Sequence, residues 1–279
     1  MAPSPPARER SGVRVGACSR ITRASRMSEY TDRELMVIAA GREIRDGDLV
    51  FVGMRLPLLA FAFAKRTHAP GAVGLFENGI VRDQPAAETL MTMSDTPNIP
   101  GALWSTGTLE IMSLLQQGLV DMGFIGGAEI DKHGNLNTNY VGDWRAPKVR
   151  LPGSGGGADI ASLARRFVVI MPQEKHRFKE RVDFITSPGF GDGAGWRERV
   201  GLPGGGPAAV ITTLGVYRFD PKTREMVLAS WHPRHSVETV RAATGWDLRV
   251  ADGCRETPTP TSAELEIVRA CDPAGFWTR

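Results

Sequence analysis

Cysteine is scarce in this chain. Cys18, Cys254 and Cys271 are too few and too far apart for a disulfide framework, and no Cys-x-x-Cys pair is present to hold a metal or exchange redox equivalents. A reducing, cytoplasmic compartment is the expectation. Long apolar runs are missing too. The longest, Leu56 to Ala64, has nine residues and contains Pro57, whereas a helix needs about 20 to cross a membrane, so no membrane partner is expected. The one close histidine pair, His232 and His235, is interrupted by Pro233 and has no carboxylate cluster beside it, so no metal site is expected. A strong excess of one charge is absent from the body of the chain. The net +3 is concentrated in residues 1–26, where six arginines face the single Glu9, a net +5, so residues 27–279 carry −2. That balance gives no electrostatic case for a nucleic-acid partner.

What is present is ordinary globular material. A chain of 279 residues with 42% hydrophobic and 23% charged residues excludes wholesale disorder and suffices for one large α/β domain. Residues 1–26, rich in Pro, Arg and Ser, show no apolar periodicity and lack the apolar segment of a secretory signal. They read as a disordered basic arm outside the native protein, the product of an upstream start codon or of cloning, with an organellar transit peptide as the alternative. Met27-Ser28-Glu29-Tyr30 looks like a natural beginning, which places the domain at 27–279.

Within that body, Thr31-x-x-Glu34 forms a capping box for a helix running to about Ile44. Leu49–Gly53, Ala72–Phe76, Val120–Ile125 and Phe167–Met171 read as buried strands. Helices are expected over Leu56–Thr67, Thr108–Gln117 and Ala158–Arg166. Residues 82–103 read as a surface loop. Strands are expected over Arg181–Thr186 and Ala208–Thr213, separated by the Gly/Pro-rich stretch Ser187–Pro207. Tyr217–Phe219 and Met226–Leu228 flank a turn and signal a hairpin. A short helix over Ser236–Ala243 and a capped one over Thr261–Ala270 follow. This order predicts an α/β fold: a single open, mostly parallel sheet with helices on both faces and an antiparallel C-terminal hairpin.

Ligand sites in such sheets form at the carboxyl ends of strands, and three segments have that placement. In Glu77-Asn78-Gly79 a carboxylate follows a strand directly, as a general base or covalent nucleophile would, although Asn-Gly is also a plain turn pair. In Gly134-Asn135-Leu136-Asn137-Thr138 two asparagines at i and i+2 offer an amide to an oxyanion, or merely stabilise an Asx turn. Gly153-Ser154-Gly155-Gly156-Gly157-Ala158 opens a helix with glycine N–H groups that suit a phosphate or an oxyanion. It also fits Gly-x-Gly-x-x-Ala, with Glu174 placed 21 residues later as a dinucleotide-binding acid. The preceding Lys148-Val149-Arg150-Leu151-Pro152 makes a poor buried strand for that purpose.

Four stretches together resemble the β half of the family I coenzyme A transferases, most closely the B-type subunit of glutaconate CoA-transferase. They are Glu77-Asn78-Gly79, Gly127 to Thr138, Gly155 to Ile160, and Leu214 to Phe219 continuing through Thr244 to Leu248; they stand in family order. The resemblance implies that Glu77 is the catalytic carboxylate. It would attack an acyl-CoA thioester and, through an acyl-glutamyl anhydride, become a glutamyl-CoA thioester. It further implies oxyanion donors at the Asn137 amide and at the backbone of Gly156 or Gly157, with Asn78, Gly79, Gly155 and Asn135 lining the substrate and CoA site. No permanently bound cofactor is implied; the coenzyme A thioester is a substrate, shared with a carboxylic acid. A chain of this length corresponds to one half of the fused enzymes, so a homologous α subunit is the expected partner. The other readings are one component of a CoA-ester ring-opening hydrolase on the same scaffold, a nicotinamide-dependent oxidoreductase built on Gly153 to Ala158, and a non-catalytic structural partner.

Overall fold

Thr31 Oγ1 accepts the Glu34 N–H at 3.1 Å while Glu34 Oε2 accepts the Thr31 N–H at 2.8 Å, closing the expected box at the start of helix α1 (Asp32–Gly41). The protein is described here by a computed structural model covering residues 30–279. The basic arm and the boundary at Met27 lie outside the described residues. After α1 the chain forms β1 (Leu49–Phe51), α2 (Leu56–Lys65), β2 (Val73–Phe76), β3 (Ile80–Arg82), β4 (Trp104–Ser105), α3 (Thr108–Gln116) and β5 (Met122–Ile125). An excursion away from the main sheet carries β6 (Glu129–Asp131), β7 (Leu136–Asn137), β8 (Tyr140–Asp143) and β9 (Ala146–Arg150). Then come α4 (Gly157–Leu163), β10 (Arg166–Ile170), β11 (Phe178–Lys179), α5 (Trp196–Arg199), β12 (Pro207–Ile211), β13 (Gly215–Phe219), β14 (Met226–Trp231), α6 (Val237–Ala242), β15 (Arg249–Glu256) and α7 (Ser262–Cys271).

Ten strands form the main sheet in the order β15-β14-β13-β12-β10-β5-β1-β2-β3-β4. The central five, β12, β10, β5, β1 and β2, run parallel. Antiparallel pairing begins beyond them, at β3 and β4 on one side and at the expected β13–β14 hairpin on the other. Successive strand residues alternate between two cores, because side chains on a strand point to opposite faces. Val50, Val52, Phe124, Val168 and Ile170 pack with α1, α2 and α7; Phe51, Leu75, Ile125, Phe167 and Val169 pack with α3, α4 and α6. The helices therefore cover both faces, as the strand–helix alternation predicts.

Several expectations are corrected. Residues 181–186 form no strand; the pairing falls instead on β11, which runs parallel to β6. Two small sheets, β11-β6-β7 and β8-β9, accompany the main one. The stretch 187–207 contains the short helix α5, and β15 extends the sheet edge where no strand is expected. Buried Arg197 organises the 187–204 segment. Its guanidinium donates to the carbonyls of Pro188, Gly189 and Gly204, and to those of Ala161 and Ser162 within the last residues of α4. Burial draws this guanidinium down to about 10.

Candidate active site

Glu77 follows β2 at the carboxyl end of the parallel strands, in the tight turn that leads into β3. Gly79 makes the turn possible: its φ is +102°, and a Cβ there would lie 2.1 Å from the Thr106 carbonyl oxygen. The turn is pinned by Gly79 N–H to Phe76 O at 2.9 Å and by Thr106 N–H to Gly79 O at 2.8 Å. Asn78 ties it to the long loop through Nδ2 to Met93 O at 2.9 Å, while its Oδ1 is buried and accepts no hydrogen bond among the described residues. Glu77 itself is half-buried, and its carboxylate has no hydrogen bond or ion pair among the described residues.

The glycine loop comes to this carboxylate from the other side of the fold. Gly123 in β5 has no side chain, so Ile160 of α4 packs directly onto the strand; a Cβ there would lie 2.2 Å from Ile160 Cγ2. That close seating brings the start of α4 over the end of β5. A methyl group on Gly156 would lie 3.1 Å from Glu77 Oε2 and 3.2 Å from its Cδ. Gly156 adopts an ordinary helical conformation (φ −72°, ψ −3°), so what glycine provides there is space for the Glu77 carboxylate and not backbone freedom. Its N–H makes no hydrogen bond among the described residues, whereas the Gly157 N–H donates to Ser154 O at 2.9 Å. Gly155 is exposed with φ +49° and open space around it. Of the two glycines expected to face an oxyanion, Gly156 is the one with a free donor.

The asparagines are placed differently from the expectation. Asn137 is fully buried, and its Nδ2 donates to Glu129 Oε2 at 2.8 Å and to Tyr140 O at 2.6 Å. Its Oδ1 accepts the Asn139 N–H at 3.0 Å, the Asx-turn arrangement. Both amide hydrogens are thus committed, and Asn137 offers no donor to an oxyanion. Glu129 is held in turn by Lys179 Nζ at 2.5 Å. Burial pulls the Lys179 amine down, but this carboxylate and Asp183 outweigh it and leave the amine above its usual range. Asn135 likewise spends its side chain inside the protein. Nδ2 bonds both Asp131 oxygens and Gly191 O, and Oδ1 accepts the N–H groups of Gly189 and Gly191. It fixes the 187–191 segment to the β6–β7 turn. Burial raises the Asp131 carboxyl above its usual range, although the Asn135 amide and the Asn135 and His133 N–H groups oppose the shift.

The dinucleotide-binding alternative loses its structural basis. The strand before the glycine loop, β9, is the exposed half of the β8–β9 hairpin and not a buried parallel strand. Glu174 is exposed and paired with Arg177 at 3.1 Å. His232 is also absorbed by the fold: fully buried, it bonds Thr212 O and Thr257 Oγ1. Among the described residues, no group of three or more His, Cys, Asp or Glu side chains is arranged to hold a metal. No helix among them is long and apolar enough to cross a membrane. Ser187, whose Oγ would lie 3.2 Å from a methyl on Gly157, borders the Glu77–Gly156 cluster and had no sequence signal.

Residues 33–243 match the family model of coenzyme A transferase. Over 247 residues the chain is 39% identical to the B-type subunit of 3-oxoadipate CoA-transferase from Pseudomonas knackmussii, covering 88% of this chain and 95% of that one. It is 37% identical to the B-type subunit of glutaconate CoA-transferase from Acidaminococcus fermentans, covering 87% and 92%. The crystal structure of that enzyme superimposes with a TM-score of 0.85 at 34% identity, over 90% of this chain and 98% of the other. A more distant relative, the IpdB subunit of the cholesterol ring-cleaving hydrolase of Mycobacterium bovis, is 25% identical over 163 residues, 56% of this chain and 62% of its own. The chain is therefore a member of the coenzyme A transferase family, in its B-type branch.

Proposed function

We propose that this chain is the β subunit of a heteromeric acyl-CoA:carboxylate CoA-transferase in which Glu77 is the covalent carrier. One observation supports the role above all: the Glu77 carboxylate is unpaired and lies against Gly156, whose N–H is free. In the first step a Glu77 oxygen attacks the thioester carbonyl, and CoA thiolate leaves, giving an acyl-glutamyl anhydride. The thiolate then attacks the glutamyl carbonyl of the anhydride, the free acid departs as its carboxylate, and a glutamyl-CoA thioester remains. The incoming carboxylate reverses both steps and leaves as the new CoA ester, and Glu77 is regenerated. Carboxylate exchanges for carboxylate throughout, so the thioester energy is conserved without a further energy source.

Each addition passes through an oxyanion, and the Gly156 N–H is the donor assigned to it. Losing such a donor typically costs about 3 kcal/mol in the barrier. Asn137 and Asn135 act as positioning residues, and Asn78 and Gly79 hold the turn that presents Glu77. Both transferase relatives are single components of larger enzymes, which supports a homologous α subunit as the partner that completes the substrate site.

The test uses the complex of this chain with its α subunit. Incubation with an acyl-CoA and reduction with borohydride is expected to convert the Glu77 side chain to the alcohol, detected by mass spectrometry of its peptide. Glu77→Gln is expected to abolish transfer and labelling while the complex still assembles. Turnover at the wild-type rate in that variant removes Glu77 from the mechanism. Hydrolysis of a cyclic CoA ester with no adduct at Glu77 favours instead the activity of the ring-cleaving relative.

A further inference from the structure

The two edges of the ten-stranded sheet are protected differently. At one of them β15 carries Arg249, Asp252, Arg255 and Glu256, charged side chains of the kind that keep an open edge from pairing with another chain. At the other, β4 is paired on one side alone, with β3, and both of its residues, Trp104 and Ser105, are exposed. Neither is charged. Around them Ile99, Leu103, Trp104 and Leu109 are 52, 62, 46 and 78% exposed. Trp104 pairs with Val81, whose side chain belongs to the core beneath α3, so Trp104 stands on α3's side of the sheet and Leu103 on the opposite side. Leu109 continues the surface in the first turn of α3, a helix in which Ile111 and Leu115 alone are buried. Apolar side chains thus flank the open edge on both sides.

The charge along this edge has one sign. From Asp83 to Asp131 the chain contains no Lys, Arg or His. Arg82 turns inward, buried and donating to the carbonyls of Gln84, Pro85, Asn98 and Pro100. Arg165, which reaches Gly118 O beyond α3, is paired with Asp121. Asp83, Asp95 and Glu110 flank the apolar residues along the chain. The Thr92 and Met91 N–H groups hold the Asp95 carboxyl below its usual range, so it stays charged. Two copies of this face brought together would set like charges against each other, which disfavours a symmetric contact between identical chains. The same edge is tied to the candidate site. Thr106, next to β4, donates its N–H to Gly79 O at 2.8 Å, and its own carbonyl closes over Gly79 in the turn that presents Glu77. We infer that the β4 edge and the start of α3 dock the α subunit, through a partner face that is apolar at its centre and carries Lys or Arg at its rim. A contact surface depleted of charge around an exposed Trp has the composition of an interface core. The inference gives the partner its docking face, and it rests on the transferase reading for that partner's existence.

The test measures the dissociation constant of the α/β complex by sedimentation at rising ionic strength, for wild type, Leu109→Arg and Leu109→Glu. Wild-type affinity is expected to fall as salt screens the rim charges. Leu109→Arg, which brings a cation to a cationic rim, is expected to weaken assembly at least about 100-fold, and Leu109→Glu about 10-fold or less. A side chain 78% exposed contributes little to its own fold, so both variant chains should melt close to wild type. Unfolding of either variant shows that Leu109 is needed within its own chain and overturns the inference. Unchanged affinity in Leu109→Arg overturns it, as does an equal loss in the two variants or a wild-type affinity indifferent to salt. Assembly that survives Leu109→Arg but is lost in Trp144→Arg, where the β8–β9 hairpin exposes its tip, overturns it in favour of the hairpin. A Leu109→Arg assembly of lower mass with α and β still paired overturns it in favour of a second copy. Assembly needs no turnover, which separates this inference from the transferase reading. A complex that follows the expected Arg and Glu order yet forms no Glu77 adduct upholds the docking face and refutes the covalent carrier. A normal adduct in a complex indifferent to Leu109→Arg does the reverse.

Discussion

Adding one methyl group at Gly156 separates the geometry of the site from the stability of the fold. The backbone there (φ −72°, ψ −3°) is open to any L-residue, so Gly156→Ala reduces the freedom of the unfolded chain and is expected to stabilise by about 0.4–1 kcal/mol. In a chain of this size that corresponds to a Tm increase of roughly 1–4 °C. The same methyl would lie 3.1 Å from Oε2, 3.2 Å from Cδ and 3.4 Å from Oε1 of Glu77, inside the ~3.5–4.0 Å of a relaxed contact. Relief comes from moving the carboxylate by several tenths of an ångström. Misplacing a reacting group by about 1 Å can cost 100-fold, so a drop in kcat of about 10- to 100-fold is expected. The assay is single-turnover formation of the Glu77–CoA adduct by the α/β complex, alongside a thermal melt. Stability and rate moving in opposite directions is the signature, since a poorly folded variant would lose both. A stabilised Gly156→Ala that forms the adduct at the wild-type rate would refute the reading that this carboxylate reacts where it stands.

Two further outcomes follow from the buried polar groups. Asn135→Ala removes the bonds to Asp131, Gly189 and Gly191 and leaves buried Asp131 without its amide partner; urea unfolding should show a loss of about 2–4 kcal/mol. The fraction that remains folded should still label at Glu77, and unchanged stability would contradict a structural role. Burial pulls His232 down to about 4 from its ordinary 6.5, so the unfolded chain takes up a proton across that interval while the folded chain does not. Stability is therefore complete above about pH 6.5 and falls by roughly 3 kcal/mol towards pH 4. Urea midpoints measured across that range should flatten in His232→Gln, and an equally steep curve in the variant would assign the acid sensitivity elsewhere.

The central strands were legible because alternation and burial coincide in them: each residue of Leu49–Phe51 or Phe167–Ile170 is apolar or half-buried on a known face. β15 was not, because Arg249–Glu256 is an exposed edge strand whose polar residues carry no period. Residues 181–186 mislead for the opposite reason. Phe184 and Ile185 suggest a strand, yet both are about 40% exposed, and the Asp183 side chain accepts the Gly142 N–H. At the site, the strand-end turn marked Glu77 and the glycine run marked the loop, but contact between them depends on Gly123, which reads locally as an ordinary strand residue. The contacts of the asparagines are not legible in the sequence, because Asn135 meets Gly189 and Gly191, more than fifty positions later, and such partners leave no trace in local spacing. The chemistry expected of Gly156 and Gly157 alike was separated only by the Ser154 carbonyl.

Arg197 has a bearing on how rigidly this candidate site is held. One guanidinium clasps both the 187–204 segment and the tail end of the short helix whose other end abuts Glu77. The two pieces are thereby riveted into one body, and the segment cannot swing aside without levering the helix and shifting the glycine beside Glu77. Alignment at the carboxylate is thus maintained from a stretch of chain more than a hundred residues downstream that contributes no reacting atom.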